Sequence, residues 1–186
     1  VRDLAVDVNA AKQQVALQSG LAMDYDRLVL APGIALKFDQ LPGYSAAAAQ
    51  QMPHAWQAGS QTALLRRQLE AMPDDGLVVI SVPAAPYRCP PGPYERAGLM
   101  ASYFKRSKPN ARILILDSND VFSKQALFQQ GWQTRYGDMI RWQSASNDGR
   151  VVRVDSKTKR VFTDFDTFQP DVANIIPPQQ AGTIAH

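Results

Sequence analysis

Cysteine is almost missing from this sequence: its 186 residues hold one, Cys89. One cysteine excludes an intrachain disulfide, so the cysteine count leaves the redox compartment open. Histidine is scarce as well, with only His54 and His186. Two histidines far from Cys89 in sequence do not make a zinc site, and no metal is expected. No apolar run reaches the roughly 18 residues that a membrane-spanning helix needs. A basic stripe interleaved with aromatics is also lacking. The 20 Lys and Arg stand against 17 Asp and Glu, and only Lys105, Arg106 and Lys108 sit close together. That balance argues against nucleic acid and suits, at most, an acidic protein partner or a small anion. Neither a Walker motif nor a Gly-x-Ser-x-Gly elbow occurs. There is no initial Met and no signal peptide. The chain opens on the strand-like alternation Val-Arg-Asp-Leu-Ala-Val-Asp-Val, as a cut or processed piece would.

What is present reads as an ordinary globular chain, 45% hydrophobic and 20% charged, long enough to bury a core. Residues 1–8 and 14–18 read as strands around a turn at 9–13. Tyr25–Leu30 reads as a third strand, stopped by Ala31-Pro32-Gly33. Residues 34–58 form a long irregular stretch, a kind that is often functional. Helices are expected over 60–72, with Ser60 as N-cap, over 94–105 and over 123–136. Between them, 77–82 and 113–117 are continuous apolar runs typical of parallel strands buried on both faces. Residues 77–117 therefore make a β-loop-α-β unit of the doubly wound kind. Strands near 139–143, 150–155, 160–163 and 172–176 follow. The short spacing of the middle ones suggests an antiparallel meander at the edge of the parallel sheet. No internal repeat stands out.

A strand, a turn, a helix and a second strand ending in an acid, Asp117, make a Rossmann arrangement. A nicotinamide site would carry Gly-x-Gly-x-x-Gly in that turn, so that backbone N–H groups reach the pyrophosphate. Here the turn runs from Val82 to Pro93 with Gly92 as its one glycine. Its prolines have no N–H to donate. The scaffold is kept and the dinucleotide site is lost. Asp117 then reads more simply as a solvated strand end or a cap.

The turn offers a frame instead. Cys89 precedes Pro90, which restricts it to an extended backbone. Arg88 is adjacent and a helix N-terminus follows; both favour a thiolate. Glu95 falls in the first turn of that helix. The residues alone leave two readings open. Cys89 is a reactive thiol or a small buried hydrophobe; Glu95 is a functional acid or a helix-start charge.

Leu28-Val29-Leu30-Ala31-Pro32-Gly33 is similar to the strand ending in Ala-Thr-Gly of two-dinucleotide flavoproteins, where small residues let the chain pass close to FAD. With Met52-Pro53-His54-Ala55-Trp56, Cys89-Pro90-Pro91-Gly92-Pro93-Tyr94-Glu95-Arg96, Ile115-Leu116-Asp117, Phe122-Ser123-Lys124-Gln125 and Ile175-Ile176-Pro177-Pro178-Gln179, it makes the chain resemble the flavoprotein subunit of flavocytochrome c sulfide dehydrogenase. The resemblance implies an α/β, glutathione-reductase-type fold. Residues 1–58 would be part of an FAD-binding domain, and 59–186 a nicotinamide-like second domain carrying the redox cysteine. It implies FAD, oxidation of sulfide to sulfur, a c-type cytochrome partner and a periplasmic location. Cys89 would be half of a redox disulfide beside the flavin and Glu95 a proton-handling acid. Ala31, Pro32 and Gly33 would pass near FAD. The family's second redox cysteine, its flavin-linking cysteine and its amino-terminal glycine motif have no counterpart here. The chain would then be a central fragment, inactive alone and binding FAD weakly or not at all. Two alternatives stand beside this one: a non-catalytic module of the same fold that docks a cytochrome, and another FAD-linked disulfide oxidoreductase with a different sulfur substrate.

Overall fold

The computed structural model describes residues 2–185; His186, set aside above as a zinc ligand, lies outside them. The chain divides into two compact units, Val1–Ala35 with Gln179–His186, and Leu36–Pro178. In chain order the strands of the first part are β1 (Ala5–Asn9), β2 (Gln14–Leu17), β3 (Ala22–Asp24) and β4 (Ile34–Leu36). There follow α1 (Ser60–Ala71), β5 (Leu77–Val82), α2 (Gly92–Ser107), β6 (Arg112–Asp117), α3 (Gln125–Tyr136) and β7 (Ile140–Gln143). The order ends with β8 (Arg153–Asp155), β9 (Arg160–Phe162), β10 (Thr167–Phe168), β11 (Val172–Ile175) and β12 (Gln179–Ala181).

In the smaller unit β1, β2 and β3 form an antiparallel sheet, and β4 pairs with β12. The expected hairpin forms, its turn closed by Asn9 Oδ1 accepting from Lys12 N. The expected strand at Tyr25–Leu30 does not form; the third strand is the shorter β3 just before it. Leu28, Val29 and Leu30 are 39%, 92% and 44% exposed. Their apolar run suits a sheet interior, yet no described strand lies beside them to take up the backbone groups.

The larger unit is built on four parallel strands in the order β11-β5-β6-β7. Alternate residues of β5 and β6 serve opposite faces, as the pleat requires. Val78, Ile80, Val82, Ile113 and Ile115 pack with Leu65 of α1, with Tyr94, Ala97, Met100, Ala101 and Phe104 of α2, and with Trp132 of α3. On the other face Val79, Leu114, Leu116, Ala173 and Ile175 pack with Leu41, Tyr44, Ala48, Ala49, Met52, Val151, Val154 and Val161. Residues 36–58 thus belong to the core of the larger unit. The meander forms, but as a separate antiparallel sheet of order β10-β9-β8 that covers this second face. It does not extend the parallel sheet, whose edges are β11 and β7. Gly43 makes the close packing possible: a Cβ there would stand 1.9 Å from the Val154 carbonyl oxygen, and its φ is +81°. The N-cap of α1 is Gly59 rather than Ser60, which is the helix's first residue; Thr62 Oγ1 donates to the Gly59 carbonyl.

Candidate active site

The carboxyl end of β5 runs into the proline-rich segment 83–91. Asn119, just past β6, anchors the start of that segment. Its Oδ1 accepts from Ala85 N at 3.0 Å and its Nδ2 donates to Pro83 O at 2.9 Å. Asn119 is itself held by Asp117, whose Oδ1 accepts from Asn119 N at 3.0 Å and Nδ2 at 2.8 Å. Asp117 Oδ2 accepts from Tyr94 Oη at 2.6 Å and from Trp142 Nε1 at 2.9 Å.

Asp117 is fully buried. It is therefore not a solvated strand end, and its four donors leave it nothing to offer a ribose. Burial, then the bond to Asp117, raises the Tyr94 phenol far above its usual range, so it stays a donor. The Tyr87 hydroxyl lies 3.4 Å from that of Tyr94 and donates to Pro90 O at 3.1 Å. A chain of polar contacts thus runs from the buried carboxylate to the residue after Cys89.

Cys89 is free and exposed, which removes the buried-hydrophobe reading. Its φ is +58°, in the left-handed region, and not extended as the following proline led us to expect. The tertiary structure overrides the local preference. Gly92 N donates to Cys89 O at 2.9 Å, closing a turn, and Trp56 Nε1 donates to Arg88 O at 3.1 Å, clamping the residue before. A left-handed non-glycine residue costs on the order of 1–2 kcal/mol, and such outliers cluster at functional sites.

Cys89 lines an open cleft of about 360 Å³ with Ala55, Trp56, Arg88, Gly92, Glu95, Arg96 and Leu99. Glu95, in the first turn of α2, is exposed within it. Cys89 and Glu95, the two site residues expected from the sequence in what is here the larger unit, thus share one cleft. Ala31, Pro32 and Gly33 belong to the smaller unit. Gly33 has φ +72° and open space where a Cβ would stand. The Gly33 carbonyl accepts from Gly182 N at 3.1 Å. A nicotinamide dinucleotide does not fit the turn after β5. Its prolines lack N–H groups, and the N–H groups of Gly92, Tyr94 and Glu95 are bonded to Cys89 O and Pro91 O. Among the described residues no cluster of His, Cys, Asp or Glu could hold a metal.

Trp56, Arg96 and Asn174 complete the surroundings of the cleft, and the last two had no functional reading of their own in the sequence. Trp56 packs over the Cys89 turn: a Cβ on Gly92 would stand 2.8 Å from its ring and 3.3 Å from Cys89 Sγ. Arg96 Nη1 donates to His54 O at 3.0 Å and Asn174 Oδ1 at 2.8 Å, and its Nη2 donates to Ala55 O. Asn174 sits in β11, where every residue is buried, and its Nδ2 donates to Pro53 O and His54 O. A polar residue in an otherwise apolar buried strand was the signal for it. His54 is buried, with Nδ1 accepting from Trp56 N at 2.9 Å. Burial, with the Arg96 charge, lowers its pKa to about 4. The segment His54-Ala55-Trp56 is therefore a packed loop.

Solved structures share this fold. The sulfide:quinone oxidoreductase of the hyperthermophilic bacterium Aquifex aeolicus matches 99% of this chain and 43% of its own, at TM-score 0.73 and 18% identity. A ferredoxin reductase of Rhodopseudomonas palustris matches 96% of this chain and 41% of its own, at TM-score 0.64 and 16% identity. Putidaredoxin reductase, solved in covalent complex with putidaredoxin, matches 94% and 40%, at TM-score 0.63 and 19% identity. The expected α/β fold of the glutathione-reductase type is thus present, and this chain spans less than half the length of these relatives. Residues 62–177 match the family described as sulfide dehydrogenase [flavocytochrome c] flavoprotein chain, central. That match covers the cysteine turn, all four parallel strands and the meander, and the chain belongs to this family.

Proposed function

We propose that this chain is the part of an FAD-dependent sulfide dehydrogenase that presents one sulfur of a redox disulfide, Cys89, to sulfide. The observation that carries the reading is the exposed, conformationally fixed Cys89 sharing a cleft with Glu95 where a dinucleotide turn would otherwise stand. The chain has one cysteine, so the disulfide partner comes from outside these residues. Hydrosulfide attacks Cys89 Sγ of that disulfide. A new S–S bond forms, the old one breaks, and the partner sulfur leaves as a thiolate. Cys89 is left as a persulfide whose proton Glu95 accepts. The electron pair released in the exchange resides on the departing thiolate. FAD, when bound, would supply the two-electron acceptor, and Ala31, Pro32 and Gly33 would be the residues of this chain near it. Electrons then pass to a c-type cytochrome subunit, and the complete protein works in the periplasm. The 186-residue chain alone is inactive and holds FAD weakly, since it supplies one redox cysteine and no glycine-rich dinucleotide turn.

Anaerobic titration of the complete flavoprotein with sulfide tests this. Flavin bleaching by sulfide is expected, and Cys89→Ser should abolish it while leaving bound flavin unchanged. Bleaching at an undiminished rate in that variant would overturn the assignment of Cys89. Bleaching by organic thiols but not by sulfide would make the protein a different disulfide oxidoreductase.

A further inference from the structure

The fold around Arg96 leaves its charge unaccounted for. The guanidinium is largely buried, and its acceptors, the His54 and Ala55 carbonyls and the Asn174 side-chain oxygen, are all neutral. Its carbon stands 4.9 Å over the Trp56 ring, a further neutral contact. The ion pairs among the described residues are Arg66–Glu70 and Arg150–Asp164, and Arg96 is in neither. A buried cation without an anion is costly. A purely mechanical role does not explain that cost, because Asn174 Nδ2 already ties the Pro53 and His54 carbonyls to β11. A neutral amide would serve such a strut as well.

The anion that fits is close by. Arg96 and Cys89 line the same cleft. Burial lowers the Arg96 pKa to about 10, and the charge of Cys89 opposes that lowering. At neutral pH Arg96 remains a cation. The other charges of the cleft are Arg88 and Glu95, both exposed and of opposite sign. The first-turn N–H groups of α2 that a helix N-terminus would lend to an anion are already bonded.

We propose that Arg96 is the fixed positive charge of the Cys89 cleft, holding the Cys89 thiolate and the persulfide anion formed on it, and drawing anionic hydrosulfide in. The persulfide and hydrosulfide parts rest on the sulfide reading above; the effect on the thiol does not. Arg96 acts through Cys89 and is a positioning residue. Three acceptors hold its guanidinium in place, so its field is aimed.

The test uses the full 186-residue chain, where one cysteine makes all alkylation report Cys89. Rates with neutral iodoacetamide and anionic iodoacetate are measured for the unaltered chain, Arg96→Gln and Arg96→Lys. One fixed charge lining the same open cleft shifts the iodoacetate-to-iodoacetamide ratio about fivefold. Arg96→Gln should lower the ratio by about that factor, Arg96→Lys should restore most of it, and added salt should shrink the difference. A strut alone would change both rates together. An unchanged ratio in Arg96→Gln, or a ratio in Arg96→Lys as low as loss of the charge demands, overturns the proposal. If Arg96→Gln does not fold, Arg96→Lys decides alone, by keeping the ratio or losing it. Neither sulfide nor flavin enters this experiment, so a failed sulfide titration of the complete protein leaves its outcome standing.

Discussion

Lowering the pH from neutral should loosen the loop that clamps the Cys89 turn, and His54 is the group that senses it. His54 Nδ1 accepts from Trp56 N, Trp56 Nε1 donates to Arg88 O, and the His54 carbonyl holds Arg96. A proton on Nδ1 would end the first of these bonds and place a second cation beside the Arg96 guanidinium. Burial and that guanidinium depress the His54 pKa from 6.5 to about 4. The unfolded chain therefore takes up this proton near pH 6.5, while the folded chain refuses it down to about pH 4. The stability is fully present above pH 6.5, falls as the pH drops toward 4, and levels off below. The full span corresponds to roughly 3 kcal/mol. Relaxation of the loop and residual screening by water reduce this to about 2 kcal/mol. The assay is urea unfolding across that window for the unaltered chain and for His54→Asn. An asparagine Oδ1 can replace Nδ1 as acceptor for Trp56 N and does not titrate. His54→Asn should lose stability at neutral pH through the smaller side chain, and the gap should close by about 2 kcal/mol as the pH approaches 4. Parallel stability curves for the two proteins would refute the argument, because carboxylates elsewhere are common to both.

Gly92→Ala should destabilise by about 1–2 kcal/mol although alanine is the better helix former. Its Cβ would stand 2.8 Å from the Trp56 ring and 3.3 Å from Cys89 Sγ, and a stabilised protein would show that this contact is soft. Asp117→Ala should cost about 3–5 kcal/mol in urea unfolding, since it strands buried donors on Tyr94, Trp142 and Asn119. Asp117→Asn, which keeps one acceptor oxygen, should cost less; equal costs would mean that the charge and not the acceptor set matters. Gly43→Ala should cost at least about 3 kcal/mol or prevent folding, because its Cβ would meet the Val154 carbonyl at 1.9 Å. A near-neutral result in thermal unfolding would show that the meander can move away.

The parts of the fold legible in the sequence are those where one stretch of chain contains its own reason. Val78, Val79 and Ile80 of β5, like Ile113, Leu114 and Ile115 of β6, are buried whichever way they point, so an unbroken apolar run suffices to find them. Tyr25–Leu30 shows the limit of that rule. The same kind of run needs neighbouring strands, and the described residues place none beside it. The conformation of Cys89 was illegible for a different reason. Its neighbour Pro90 favours an extended backbone, and it is a tryptophan 32 residues from its partner, bonded to Arg88 O, that clamps the turn. Arg96 escaped notice likewise. Its acceptors lie 41, 42 and 78 residues away, and bonds of that reach leave no periodicity to read.

The absent dinucleotide motif and the present cysteine turn have one physical origin. A phosphate site at this turn needs free N–H groups at the start of α2 and an acid at the end of β6 left open for a sugar hydroxyl. Here Cys89 O and Pro91 O occupy the N–H groups of Gly92, Tyr94 and Glu95. Asp117 spends both oxygens on Tyr94, Trp142 and Asn119. Those same bonds hold the segment that carries the thiol: Asn119 fixes Pro83 and Ala85, and Tyr94 with Tyr87 fixes Pro90. Opening the site to a pyrophosphate would therefore release Cys89, and fixing Cys89 closes the site to a pyrophosphate. The acid retained at the Rossmann position is thus no remnant; it supports the turn that replaced the glycines.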